Sequence, residues 1–87
     1  MDVRVQVGRN VRRYRQAAGL SQEELAHRAD LDRTYVSGVE RGTRNPTVLV
    51  LESLAQALGI RAADLLEHGG SVRPGRTGVD RRGGPKG

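Results

Sequence analysis

Apolar residues recur along the chain at helical spacing in short blocks, and each block is closed by a residue suited to stopping a helix. In Met1–Ala18, Val3, Val7, Val11, Tyr14 and Ala18 fall on one side of a helix that Gly19 ends. The alternation Val3-Arg4-Val5-Gln6-Val7 also suits an extended arm, so the start of this helix falls between Val3 and Val7. Ser21 and Glu24 have the spacing of a capping box, in which the hydroxyl accepts from a first-turn amide and the carboxylate returns a bond to the cap. The helix they start buries Leu25, Ala26 and Ala29 and stops at Asp30, which tolerates a left-handed turn. Asp32 then caps a third helix that runs to Arg41, with Gly42 as its left-handed C-terminal cap. After the loop Thr43-Arg44-Asn45-Pro46, Thr47 caps a fourth helix with Leu51, Leu54, Ala55 and Leu58 as its core face and Gly59 at its end. Leu49 points away from that face and Val50 lies at its edge. Ala62–Glu67 suits a fifth short helix with Leu65 and Leu66 apolar, marginal alone and dependent on packing against helix four or a second subunit. The pattern predicts a small all-α fold.

The third helix is the informative one. At about 100° per residue, Val36 and Val39 point one way, while Arg33, Thr34, Ser37, Gly38 and Arg41 cluster on the opposite side and Tyr35 sits on the flank. A helix that buries two valines and displays arginines and hydroxyls has the surface of a major-groove reader. Arg15 lies beside the first helix's stripe, where it can reach Glu40 at the edge of this dry face. That places a partly buried ion pair between the first and third helices.

Charge sharpens the picture by where it falls. The chain has 87 residues and a net charge of +5, which suggests a polyanionic partner. Residues 1–68 hold ten Lys and Arg against nine Asp and Glu, whereas residues 69–87 hold five against one. The case for DNA therefore rests on the placement of arginines in the folded part. The division predicts a helical domain over 1–68 and a flexible Gly/Arg-rich tail over 69–87, disordered because it offers little to bury. Such a tail can add sequence-independent attraction to DNA.

There is no cysteine, no apolar run long enough for a membrane span and no signal-peptide core, so a cytoplasmic location, nucleoid-associated when on DNA, is expected. His27 and His68 stand apart with no matching ligands or nucleophile, so they read as solvated histidines. Neither catalysis, metal nor cofactor is expected. The chain leaves no room for a sensor domain, so no small-molecule ligand is expected either.

Linked motifs then carry a resemblance over roughly Val7 to Leu66. Gly19-Leu20-Ser21-Gln22-Glu23-Glu24-Leu25-Ala26, Tyr35-Val36-Ser37-Gly38-Val39-Glu40-Arg41-Gly42, Arg44-Asn45-Pro46-Thr47, and Leu51, Leu54, Ala55, Leu58 and Gly59 together resemble the Cro/repressor-type helix-turn-helix family, also called the xenobiotic-response-element family. The stretch Leu31–Arg41 is similar to the controller proteins of restriction–modification systems and also to phage-like repressors. The resemblance implies a compact five-helix lambda-repressor-like DNA-binding domain, acting as a homodimer on a roughly palindromic operator in double-stranded DNA. It implies base contacts from Arg33, Thr34 and Ser37, a phosphate contact from Gln22, backbone approach by Arg44 and Asn45, and a structural ion pair between Arg15 and Glu40. Arg41 joins the backbone contacts. Tyr35 fits either a phosphate contact or half-buried packing. Two residues depart from expectation: Asp30 stands where the family often has glycine, and Gly38 interrupts a helix, a cost that close approach to DNA or to helix two would offset. A different class of function also fits the sequence, namely an antitoxin or other protein-binding module that represses its own operon together with a partner protein.

Overall fold

A computed structural model describes residues 2–68, which form five helices: α1 Val3–Ala17, α2 Gln22–Ala29, α3 Arg33–Arg41, α4 Val48–Leu58 and α5 Ala62–Leu65. The expected tail, residues 69–87, lies outside the described residues.

Each boundary has a local cause. Asp2 caps α1 by accepting from the Arg4 amide at 2.8 Å, which settles the ambiguous start in favour of a helix from Val3. Ser21 and Glu24 make both bonds of the capping box, at 3.0 and 2.8 Å. Asp32 accepts from the Thr34 amide at 2.8 Å and Thr47 from the Val50 amide at 3.1 Å. Between α2 and α3 the chain turns through Asp30 at φ 59° and ψ 45°, a left-handed conformation that aspartate adopts at lower cost than a branched side chain.

Val7 and Val11 of α1 meet Leu25, Ala26 and Ala29 of α2, Val36 and Val39 of α3, Leu51, Leu54 and Ala55 of α4, and Leu65 of α5 in one buried cluster. The ends of the α1 stripe do not join it. Val3 is 56% exposed, and Ala18 is an exposed C-cap, because the helix runs past the core at both ends.

Two contacts of α1 go beyond its apolar stripe. Gly8 is where α1 crosses the end of α3: a Cβ there would stand 2.4 Å from the Val39 carbonyl oxygen and 2.7 Å from that of Glu40. Buried Asn10 donates to the carbonyls of Leu65 at 2.8 Å and Glu67 at 2.9 Å, and Gln6 donates to that of Leu66 at 2.7 Å. Residues 6 and 10 lie one turn apart on one face, so α1 holds the carbonyl end of α5 with two amides. This holds a helix too short to persist alone. The structure gives that helix only to Leu65, and Leu66 is left half-exposed. Among the described residues no helix is long and apolar enough to cross a membrane.

Candidate nucleic-acid interface

The α2–turn–α3 unit is oriented by a buried ion pair. Arg15 Nε donates to Glu40 Oε2 at 2.6 Å and Nη2 to Oε1 at 3.1 Å, with the two side chains only 12% and 4% exposed. Arg15 Nη1 also donates to the Leu20 carbonyl at 2.8 Å. One guanidinium thus ties α1 to the C-terminal end of α3 and to the segment that enters α2. Planar, bidentate pairing of this kind fixes orientation as well as distance.

Gln22, the first residue of α2, turns its side chain toward the same carboxylate, Nε2 donating to Glu40 Oε1 at 3.0 Å. An amide nitrogen has two hydrogens, so one remains for another acceptor. The capping box occupies the Ser21 and Glu24 amides and leaves those of Gln22 and Glu23 at the start of α2. Bonding to the Ser21 amide and hydroxyl holds the Glu24 carboxyl below its usual range, so a negative charge already complements this helix end.

On α3, Val36 and Val39 are buried while Arg33 and Thr34 are exposed. Ser37, one turn after Arg33, is half-buried, and its Oγ accepts from the Arg41 guanidinium. In the free protein Arg41 therefore lies back along the helix. Tyr35 is half-buried against the core, and the Arg44 guanidinium lies over its ring, 5.8 Å from the centroid. Asn45 is exposed. Arg33, Thr34, Ser37 and Arg41 thus share one surface of α3, and Arg44 lies beside it on the Tyr35 flank. Gln22 stands apart at the start of α2.

Gly38 is buried, and the nearest neighbours of its Cα side belong to the α3–α4 turn: a Cβ there would stand 2.5 Å from Arg44 Cγ. The sequence gives no sign of the Gln22–Glu40 or Tyr35–Arg44 contacts, whereas the i,i+4 spacing of Ser37 and Arg41 places them within reach of each other.

A helix-turn-helix family model matches residues 11–65. The chain is 43% identical over 67 residues to the control protein C.BamHI of Bacillus amyloliquefaciens, a match spanning 76% of this chain and 83% of that protein. Its fold is similar to that of the restriction–modification controller protein C.AhdI from Aeromonas hydrophila, with a TM-score of 0.70 and 48% identity over 71% of this chain and 94% of that one. It is also similar to the controller protein C.Esp1396I, solved as a tetramer in complex with its natural 35 base-pair operator, with a TM-score of 0.69 and 34% identity over 75% and 86% of the two chains. The chain belongs to the Cro/repressor-type (xenobiotic-response-element) helix-turn-helix family of DNA-binding transcription regulators, with restriction–modification controller proteins among its relatives.

Proposed function

We propose that this chain is a sequence-specific transcriptional regulator that binds a palindromic operator as a homodimer, with α3 of each copy in the major groove. The observation that carries the reading is the division of α3 into a buried Val36–Val39 side and an outward side bearing Arg33, Thr34 and Ser37, its angle fixed by Arg15 and Glu40. Arg33 sits at the exposed start of the helix and is the residue for a bidentate contact to guanine. Thr34 and Ser37 add hydroxyl bonds or meet a thymine methyl. Gln22, through its second amide hydrogen, and Tyr35, Arg41, Arg44 and Asn45 contact the backbone and set the register. For Ser37 and Arg41 this requires exchanging their mutual bond for bonds to DNA.

The interface of one such domain is small, so useful affinity comes from two copies on half-sites about 34 Å apart. Adjacent Val48 and Leu49, each 78% exposed at the start of α4, are the apolar surface we assign to the second copy. Residues 1–68 form the reading domain. The protein acts in the cytoplasm, on the nucleoid, by occupying its operator and without catalysis. Its own promoter is the target we assign.

Selection of bound sites from random double-stranded DNA, with the mass of the complex measured alongside, tests this reading. Two related half-sites one helical turn apart, bound by two chains, are expected. No enriched sequence, or a single half-site bound by one chain, would overturn it.

A further inference from the structure

The α3–α4 turn is docked on a single residue of the recognition helix. The Gly38 carbonyl accepts from the Thr43 amide at 2.9 Å, the Arg44 amide at 3.3 Å and the Thr43 hydroxyl at 3.1 Å. The Cα side of the same glycine is covered by Arg44: a Cβ would meet Arg44 Cγ at 2.5 Å, Thr43 Oγ1 at 3.4 Å and Arg44 Nε at 3.5 Å. The stem of Arg44 therefore occupies the space that any other residue at 38 would fill. From there its guanidinium extends over the ring of Tyr35, three residues earlier on α3 and anchored on the core. Exposed arginines ordinarily sample many rotamers, and ordering one on binding costs affinity. Here the backbone bonds, the missing side chain and the ring together fix the direction of the charge before any ligand arrives.

A helix lying in the major groove has phosphates along its flanks, and Arg44 lies along the Tyr35 flank of α3. We propose that Gly38 is a positioning residue for DNA recognition: lacking a side chain, it seats Arg44 against Tyr35 so that the guanidinium is held ready for a backbone phosphate. The inference rests on the DNA-binding reading above. It also explains a residue that weakens its own helix. Alanine at 38 would improve helix propensity and, of its three nearest neighbours, would press closer than ordinary contact only on the Arg44 stem, so its effect on folding and its effect on binding are expected to have opposite signs.

The test measures affinity for the selected operator between about 50 and 200 mM salt, together with melting temperature, for the full chain and for Gly38→Ala, Arg44→Ala and the double variant. One lost phosphate contact per subunit lowers the salt slope by about 0.9, or about 1.8 for a dimer. Gly38→Ala should show most of that loss with a melting temperature no lower than the parent's, and should change nothing further in the Arg44→Ala background. An unchanged slope in Gly38→Ala, an equal loss with or without Arg44, or a lowered melting temperature would overturn the assignment. The equal loss would mean that DNA itself packs on Gly38. Failure of the parent chain to prefer any sequence would instead remove the DNA-binding reading, and this inference with it.

Discussion

Replacing Arg15 by methionine tests the buried ion pair through stability alone, because Arg15 lies on α1 and not on the exposed side of α3. The change keeps most of the apolar stem and removes the guanidinium, leaving the Glu40 carboxylate, 4% exposed, with only the Gln22 amide, and the Leu20 carbonyl without its 2.8 Å donor. Removing one partner of a buried pair costs about 3–5 kcal/mol. Marginal stability of about 0.05–0.15 kcal/mol per residue gives a domain of this size roughly 3–10 kcal/mol in total, so the loss is a large fraction of it. With a urea dependence of about 1 kcal/mol per molar, the midpoint should fall by about 3 M or more. Urea unfolding followed by circular dichroism, at one fixed protein concentration because dimerisation adds to apparent stability, reads this directly. Adding Glu40→Leu should recover much of the loss by removing the stranded charge, less what the Leu20 carbonyl and Gln22 amide forfeit. A loss below about 1 kcal/mol, the value of an exposed pair, would refute the claim that this contact sets the angle between α1 and α3.

Gly8→Ala should destabilise by about 3 kcal/mol or more, lowering the melting temperature by more than about 10 °C, because the new Cβ meets backbone oxygens of Val39 and Glu40. A rise in melting temperature, the ordinary result of glycine to alanine in a helix, would contradict the close crossing of α1 over α3. At the start of α1, bonding to the Arg4 side chain and amide holds the Asp2 carboxyl at about 2, below its ordinary value of 3.8. A depressed carboxylate stabilises fully above its unfolded value, and the stabilisation is lost as pH falls through the folded one. The Cα chemical shifts of Val3 to Val5 should therefore move toward coil as pH falls from about 4 to about 2, and Asp2→Asn should abolish that dependence. Shifts that stay constant across this range would show that Asp2 does not hold the first turn.

Features encoded by neighbours in sequence are legible in the sequence alone. The capping box at Ser21 and Glu24, the Asp32 and Thr47 caps and the left-handed turn at Asp30 each depend on a few consecutive residues. The dry side of α3 followed from its 3.6-residue period, and Arg15 facing Glu40 followed from the same geometry on two helices. Other contacts closed by the tertiary fold are not legible. A glycine in a helix does not reveal which part of the chain approaches it, so Gly8 gives no sign of Val39 and Gly38 gives none of Arg44. Asn10 and Gln6 were silent because their acceptors lie 55 to 60 residues away. In the interface, the period placed Cβ atoms correctly but not the ends of long side chains. Gln22 turns to Glu40, Arg41 to Ser37 and Arg44 to Tyr35 because polar ends without a ligand bond to the acceptors and ring that the fold brings near.

The central proposal is that α3 reads sequence chiefly through Arg33, with Thr34 and Ser37 beside it, while the backbone contacts supply position. Competition gel shifts of the parent chain and Arg33→Ala, on the selected operator and on random duplex at the same salt, test it most directly. The account predicts that Arg33→Ala loses about 1–3 kcal/mol of discrimination per half-site, which removes most operator preference, while salt-dependent binding to random DNA stays close to the parent's. An equal loss on operator and random duplex would make Arg33 a backbone contact and contradict the claim.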